Sequence, residues 1–362
     1  MQNKWVVYIA TLVALVVLPN LVQPFGDGWV RILDTALLYM LLALGLNIVV
    51  GYAGLLDLGY IAFYAVGAYV FGLLASPHLT DTFDAWKAHF PNGLHLWVWA
   101  AIPLGAFVAG GAGVLLGTPT LKLRGDYLAI VTLGFGEIIR VFMNNLDAPV
   151  NITNGPKGID TIDSVKLFGF DFGKPHTILG LDVHLVTNYF YVLVLLVIVS
   201  VVICLRLEKS RIGRAWMAIR EDEIAAKAMG INTRNMKLLA FGMGATFGGV
   251  AGVMFATFQG FISPESFSLP ESIMVVAMVV LGGIGHIPGV LLGALLLSSL
   301  PEVLRYVAGP LQNATGGRLD AAILRQLLIA LAMIVVMLLR PRGLWPSPEH
   351  GRVAQVPTKA GG

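Results

Sequence analysis

The chain has 362 residues, of which 57% are hydrophobic and only 12% are charged, whereas soluble globular proteins carry about 25% charged residues; this excludes an ordinary soluble enzyme. Glycine is frequent, at 42 residues, and much of it lies inside apolar runs, which indicates close packing of helices in lipid. The single cysteine, Cys204, excludes an internal disulfide and paired-cysteine metal or redox motifs. The net charge is +3, and the basic residues lie between apolar runs, which favours a role in membrane topology over a nucleic-acid surface.

A helix needs about 20 apolar residues to cross a bilayer, and ten stretches of this sequence fit a transmembrane or re-entrant helical segment. We therefore predict an all-α polytopic membrane protein. The first stretch also resembles a signal peptide, but no small-x-small cleavage site follows it, so it is kept as a span. The eighth and ninth are short, and the sequence leaves open whether they cross the membrane or form a re-entrant hairpin. The ten segments are 5–23, 32–50, 58–76, 96–118, 127–145, 188–206, 238–259, 272–284, 287–300 and 322–340.

Lysine and arginine predict the orientation, because positively charged loops stay in the cytoplasm. With the N-terminus inside, cytoplasmic segments carry fifteen of the 24 basic residues and external segments carry seven. Both termini are then cytoplasmic, with an external loop at 146–187 and a cytoplasmic loop at 207–237. The external loop alternates apolar and polar residues around 165–168, which predicts a small hairpin. Residues 1–340 form the predicted transmembrane domain, and the proline-rich 341–362 a disordered cytoplasmic tail.

Two predicted spans carry a small residue at every fourth position, and such stripes let helix backbones approach closely. We interpret both stripes as plain helix packing rather than as a substrate-lining surface, so they predict a compact bundle. The stripes consist of Ala240, Gly244, Gly248, Gly252 and Ala256 in one span and of Ala101, Gly105, Ala109, Gly113 and Gly117 in the other.

Glycine-rich breaks between spans are typical of discontinuous helices that face a transported solute. One break, within 51–69, contains Asp57, and the other, within 281–289, contains His286. Asp57 and His286 are therefore candidates for a translocation pathway. The alternatives are a tight cytoplasmic turn for Asp57 and a turn cap for His286.

Three further polar residues lie inside predicted spans. Glu137 and Arg140 are spaced three apart, on one helix face, where they can form a functional pair or simply neutralise one another. Asn47 needs an interhelical partner or a water-filled cavity, and helix association is its favoured role. All three are pathway candidates.

Enzyme motifs are missing from the sequence. It contains no H-E-x-x-H, no G-x-S-x-G and no P-loop. We therefore predict a transport subunit that is not an enzyme and holds no cofactor or metal of its own.

The cytoplasmic loop has the pattern of a short amphipathic helix. Apolar residues recur at helical spacing between 215 and 229, Glu223 and Lys227 form an i, i+4 pair, and Gly230 stands where a helix stop belongs. Acidic residues at 221–223 argue against binding to anionic lipid and favour a groove on a partner protein.

This loop resembles the EAA loop of ABC importer permeases, the coupling helix that docks into a cleft of the ATPase subunit. The match is Ala225-Ala226-x-x-x-Gly230, with the acid Glu223 one position early. The resemblance implies ATPase coupling for Arg220, Glu221, Asp222, Glu223, Ala225, Ala226 and Gly230.

The resemblance extends from about residue 40 to 300. Six blocks are similar, in this order, to the M-type permease of Liv-type branched-chain amino acid ABC importers: LGLNIVVGYAGLLDLGYIAFYAVGAY, LKLRGDYLAIVTLGFGEIIR, TNGPKGI, GRAWMAIREDEIAAKAMGIN, QGFISPESF and VVLGGIGHIPG. The resemblance implies a bacterial inner-membrane permease for Leu, Ile and Val. It also implies four kinds of partner: a second, H-type permease, two ATPase subunits that bind ATP and Mg, a periplasmic solute-binding protein, and the lipid bilayer around them.

Two other functions stay open at this point. One is a urea or short-chain amide permease of the same family. The other is an ion-coupled secondary transporter with Glu137 and Arg140 as its relay. The cytoplasmic helix distinguishes an ABC permease from a secondary transporter, because a secondary transporter has no need of an element that docks to an ATPase.

Overall fold

The fold is seen in a computed structural model of the chain. The residues that the structure describes are 18–23, 26–90, 93–120, 123, 125–167, 170–178, 181–314, 327, 330–331, 334–335, 338–340 and 343–345. They are mostly helical, as the apolar runs predict.

Apolar stretches of helical length dominate the chain, and they form its helices. In chain order these are α1 Asp27–Leu46, which continues as a π-helical turn Asn47–Tyr52, then α2 Ile61–Leu74, α3 His78–Thr82, α4 Asp84–His89, α5 Val98–Thr120, α6 Asp126–Asn145, α7 Leu185–Glu208, α8 Arg211–Glu221, α9 Glu223–Ala228, α10 Thr233–Gln259, α11 Leu269–Gly282 and α12 Ile287–Ala314.

Six of the described helical stretches are long and apolar enough to cross a membrane: Asp27–Tyr52, Val98–Thr120, Leu185–Glu208, Thr233–Gln259, Pro264–Gly282 and Ile287–Leu304. The predicted segment 58–76 corresponds to the shorter apolar helix α2, and 127–145 to the 20-residue α6. Segments 5–23 and 322–340, like the predicted tail, lie largely outside the described residues. The predicted count of ten is therefore not confirmed.

Helix α10 is the centre of the bundle and packs against α1, α2 and α5. Its predicted stripe faces α1 and α2, where a Cβ on Gly244 would overlap Val49 and a Cβ on Gly252 would overlap the Tyr64 carbonyl. The stripe is thus a packing surface, because even one methyl group would push these helices apart.

A second small-residue face of α10, which the sequence analysis missed, packs on α5. A Cβ on Gly249 would overlap the carbonyl oxygen of Gly105, and a Cβ on Gly113 would lie 2.6 Å from the Cβ of Ala245. The predicted stripe of α5 therefore meets a face of α10 that is adjacent to the predicted one.

One end of the bundle is covered by the stretch 146–187. Two antiparallel hairpins form here, β1 Lys166–Leu167 with β2 Phe170–Asp171, and β3 His176–Ile178 with β4 Leu181–Val183. The first is the hairpin predicted from the alternation. A backbone bridge between Ile159 and Ile262 joins this stretch to the loop that follows α10.

The opposite end of the bundle holds α8, α9 and a glycine-rich turn at 283–286. Helix α11 starts beside the loop at 260–268 and ends at this turn, and α12 leads back from it. Helices α11 and α12 therefore run between the two ends of the bundle, which favours two crossings over a re-entrant hairpin.

Candidate functional site

Helix α8 is capped at its start and packs against the bundle through a tryptophan in its middle. The Ser210 hydroxyl caps it by accepting from the Gly213 N–H at 3.1 Å. Trp216 is fully buried, and its indole N–H donates to the carbonyl of Met236 in α10 at 2.7 Å. The helix is therefore held against the bundle and does not move as a free loop.

The predicted single helix of the cytoplasmic loop is wrong, because Asp222 divides it in two. Asp222 has an extended backbone, and its carboxylate accepts from the N–H groups of Ile224 at 2.8 Å and Ala225 at 3.0 Å. An aspartate that caps the next helix in this way ends the preceding one. Helices α8 and α9 are consequently two separate helices and do not share one continuous apolar face.

Helix α9 ends as the sequence predicts. Gly230 has φ +85°, and the N–H groups of Gly230 and Ile231 donate to the carbonyls of Lys227 and Ala226 at 3.1 Å each. These two bonds form a Schellman motif, which requires the left-handed conformation that glycine adopts freely.

The surface that α9 offers to a partner differs from the predicted one. Ala226 is buried within the chain, whereas Ala225 and Gly230 are exposed. Ile224 and Met229, which sequence reasoning did not single out as surface residues, are 71% and 83% exposed. Ile224, on the six-residue helix α9, and Met229, the residue that follows it, form an exposed apolar pair at the end of the bundle that we call the docking knob.

Among the acidic residues of the loop, Glu221 is exposed and Glu223 is engaged within the chain. Glu223 Oε1 lies 2.7 Å from Nζ of Lys237, whose side chain is only 8% exposed. This ion pair ties the start of α9 to the first turns of α10. Glu223 stands one position earlier than the acid of the EAA pattern, and at this position it forms an ion pair within the chain, with Lys237.

Arg220, at the end of α8, reaches into both predicted helix breaks. Its Nη1 donates to the carbonyl of Gly51 in the π-helical turn. A Cβ on Gly54 would lie 2.8 Å from the Arg220 Cγ, and a Cβ on Gly285 would lie 3.1 Å from Nη1. Gly54 and Gly285 therefore make room for Arg220, and the arginine links α8 to the π-helical turn that continues α1 and to the turn between α11 and α12.

Asn47 joins the same two breaks from within the bundle. It begins the buried π-helical turn, and its side-chain oxygen accepts from the Gly285 N–H at 2.9 Å. The predicted role in helix association is thus matched by an interhelical partner. We call Asn47, Gly51, Gly54, Arg220 and Gly285 the arginine junction.

His286 lies beside the junction but points to the C-terminal part of the chain. Its Nδ1 is 2.9 Å from the carbonyl oxygen of Trp345, and its ring contacts the Trp345 indole. This contact supports the turn and places His286 at the end of the bundle rather than in its interior.

Asp57 forms a tight turn, but a buried one rather than one at the surface. Its Oδ1 accepts from the Gly59 N–H at 2.9 Å, and the Leu58 N–H donates to Thr132 of α6 at 3.0 Å. A Cβ on Gly59 would overlap the backbone of Thr132. The break after α1 therefore serves as the packing surface for α6.

Glu137 and Arg140 form the predicted pair, with a third member that the sequence analysis missed. Arg140 Nε donates to Glu137 at 3.0 Å, and its Nη1 donates to Glu265 at 3.1 Å. Glu265 is 125 residues away, so no local pattern could reveal it. The structure thus places the pathway candidates in three separate regions: the junction with Asn47 and His286, the Asp57 turn, and this ion cluster.

Comparison with known proteins places the chain in a family. The family described as branched-chain amino acid transport system / permease component matches residues 28–337. The high-affinity branched-chain amino acid transport system permease protein LivM of Escherichia coli is 41% identical, over 92% of this chain and 74% of its own length. A Methanocaldococcus jannaschii protein with the name probable branched-chain amino acid transport permease protein LivM is 25% identical over 85% of this chain and 90% of its own length.

A protein with a different name is related as well. The E. coli permease protein LivH is 24% identical over 87% of this chain and 93% of its own length. No solved structure matches. The extent of the family match and the LivM identity leave one conclusion: this multi-pass membrane protein belongs to the family of branched-chain amino acid transport system permease components.

Proposed function

We propose that the chain is a membrane permease subunit of an ATP-driven ABC importer for branched-chain amino acids, and that it forms half of the translocation pathway. The names of the LivM and LivH relatives support this substrate class and a second, H-type permease as partner. Two ATPase subunits, which hold ATP and Mg, and a solute-binding protein complete the proposed importer. The chain itself lies in the inner membrane with both termini in the cytoplasm.

The single observation that carries the proposal is the arginine junction. A docking knob with exposed Ile224 and Met229 continues into α8, and the end of α8 contacts the breaks in the membrane helices through Arg220. A displacement of the knob by an ATPase is thereby transmitted to α1 and to the α11–α12 turn. A carrier driven by an ion gradient has no use for such a link.

The test is ATP-dependent uptake of leucine by proteoliposomes that contain the complete importer. Arg220→Ala should keep the complex assembled and hydrolysing ATP but lower leucine uptake strongly, because the link is cut. Arg211→Ala, which removes an exposed cation at the other end of the same helix, is the matched control and should transport like the parent.

Two results would assign another function. Uptake of leucine without ATP or the ATPase subunits would establish the secondary transporter. Accumulation of urea or acetamide in place of leucine would establish an amide permease of the same family.

A further inference from the structure

A small pocket opens at the end of the bundle opposite to the arginine junction. It lies between α1, α2 and α10 and has a volume of about 80 Å³. This volume exceeds the ~10–15 Å³ that one water molecule needs. The residues that matter for its chemistry are Arg31, Thr35, Leu38, Tyr64, Phe255 and Phe258. None of the pathway candidates predicted from the sequence lines it.

Arg31 is held in the pocket without a carboxylate partner. Its guanidinium lies 5.7 Å from the ring centroid of Phe258, and its Nη2 donates to the neutral amide of Gln259 at 2.9 Å. Within the described part of the chain no carboxylate oxygen lies within 4 Å of it. Asp34, one turn along, is buried and does not line the pocket. Arg31 and Asp34 attract one another electrostatically, but no carboxylate contacts the guanidinium directly, and its exposed N–H groups are suited to bind a ligand carboxylate in a bidentate manner.

A negative group lies behind Tyr39, which follows Arg31 on the same helix, α1. The Tyr39 hydroxyl lines the pocket and donates to Glu271 Oε2 at 2.5 Å. Glu271 lies in the first turn of α11. A carboxylate at this place favours a positively charged ligand group, and the Tyr39 oxygen can accept a hydrogen bond from it.

The remaining wall is apolar and aromatic. The Tyr64 and Phe255 rings pack at a centroid distance of 5.2 Å, and Leu38 lies beside them on α1. A few placed polar groups beside an apolar wall are the usual lining of a small-molecule site, but at about 80 Å³ this pocket is smaller than the roughly 300–1,000 Å³ of a complete ligand pocket. It can therefore contact part of a ligand and does not enclose one.

We propose that this pocket is a contact site for a zwitterionic amino acid with an apolar side chain, on the side of the membrane from which substrate enters. Arg31 binds the α-carboxylate, Tyr39 and Glu271 attract the α-ammonium group, and Leu38, Tyr64 and Phe255 receive the side chain. The inference rests on the proposed function and adds a site to it.

The experiment is protection of a reporter cysteine in the complete importer. Thr35→Cys is introduced in a Cys204→Ser background, and its rate of reaction with a maleimide is measured with increasing leucine, leucinamide or 4-methylpentanoate. Leucine should slow the reaction, whereas leucinamide, which lacks the carboxylate, and 4-methylpentanoate, which lacks the ammonium group, should protect much less. Gln259→Cys, at an exposed position that also lines the pocket, is a second reporter in case Thr35→Cys does not assemble.

The residue roles are tested in the same assay. Addition of Arg31→Gln should raise the leucine concentration for half protection about tenfold, as expected for the loss of one charge-assisted hydrogen bond, and should remove the preference for leucine over leucinamide. Glu271→Gln should remove the preference over 4-methylpentanoate. Lys87→Gln, at an exposed cation outside the pocket, is the matched control and should leave both preferences unchanged.

The failure of this site and the failure of the proposed function are distinguishable. ATP-driven leucine uptake by the same preparation, together with no protection or with a leucine preference that survives Arg31→Gln, overturns the pocket alone. Absence of ATP-driven leucine uptake by the parent overturns the proposed function.

Discussion

Two glycines of the arginine junction, Gly54 and Gly285, leave space for the Arg220 side chain, whereas Gly51 packs against Asn47 and Gly285. Gly54 and Gly285 have positive φ values, whereas Gly51 lies in helical backbone and contributes its carbonyl oxygen, which accepts from Arg220, and its lack of a side chain. A Cβ on Gly51 would overlap the Asn47 amide oxygen and lie 2.9 Å from the Gly285 nitrogen. One added methyl group would therefore disturb the contact between α1 and the α11–α12 turn.

Gly51→Ala should accordingly destabilise the protein. Overpacking of a closely packed site costs about 1–3 kcal/mol, and here the neighbours include backbone that cannot rotate away. The matched control is Gly111→Ala in α5, where a Cβ would meet nothing within 4 Å and the better helix propensity of alanine should leave stability equal or slightly higher. The measurement is the thermal unfolding midpoint in detergent. Equal midpoints for the two variants would contradict the tight junction.

The ion cluster on α6 predicts an asymmetry between its members. Arg140→Gln should impair folding or transport more than Glu137→Gln, because it leaves Glu137 and Glu265 near one another without a cation, whereas Glu137→Gln leaves Arg140 paired with Glu265. The double variant Glu137→Gln with Arg140→Gln should be less impaired than Arg140→Gln alone. Yield of folded importer and leucine uptake are the measurements, and a double variant that is no better than Arg140→Gln alone would argue for independent roles.

At the scale of the element, Asp222 determines the shape of the cytoplasmic loop. Its carboxylate ends α8 and starts α9, so that Ile219 and Ala226 are buried while Ile224 and Met229 point away from the bundle. The docking knob thus depends on one side chain that makes two hydrogen bonds.

Asp222→Ala should loosen α9, since loss of an N-cap costs about 1 kcal/mol. Asp222→Asn keeps the acceptor oxygen and is the matched control. Hydrogen exchange at the amides of 224–228 should become faster in the alanine variant only, and copurification of the ATPase subunits should fall with it. Unchanged exchange in Asp222→Ala would show that α9 is held by other contacts.

The features of these elements that could be predicted are those that depend on residues close together in the sequence. The small-residue stripes and the Gly230 stop are encoded in local spacing, and both are present in the structure. The need of Asn47 for an interhelical partner follows from a polar side chain inside an apolar span, although its spacing does not identify Gly285 as that partner. The second face of α10 was missed because helix packing on two sides gives no single stripe. The Asp222 break was missed because an aspartate within an acidic run also suits an exposed helix surface.

The contacts of the arginine junction were out of reach for another reason. Arg220 contacts Gly51 and Gly285 across the folded bundle, although both glycines are far from it in the sequence. Local sequence spacing therefore carries no information about these contacts. The family resemblance marks Arg220 and the two breaks separately, and the fold supplies the contact between them.

At the scale of the whole molecule, the two ends of the bundle have different chemistry. One end gathers the hairpins of 146–187, the loop after α10 and the Arg31 pocket, while the other gathers α8, α9 and the turn at 283–286. The bias of basic residues predicts that the second end is cytoplasmic. The geometry adds that the turn containing His286 lies on the same side as Ser210, although 76 residues separate them in the sequence.

Single cysteines in a Cys204→Ser background test this arrangement with a membrane-impermeant thiol reagent. Thr161→Cys should react from outside in intact spheroplasts, because it lies beside the hairpins, whereas Ser210→Cys and His286→Cys should react only after permeabilisation. His286→Cys is the decisive position, since a re-entrant hairpin entering from the outside would keep the turn at 283–286 from the cytoplasmic surface. Labelling of His286→Cys from outside, with Ser210→Cys protected, would show that α11 and α12 do not cross the membrane; labelling of Ser210→Cys from outside would reverse the whole topology.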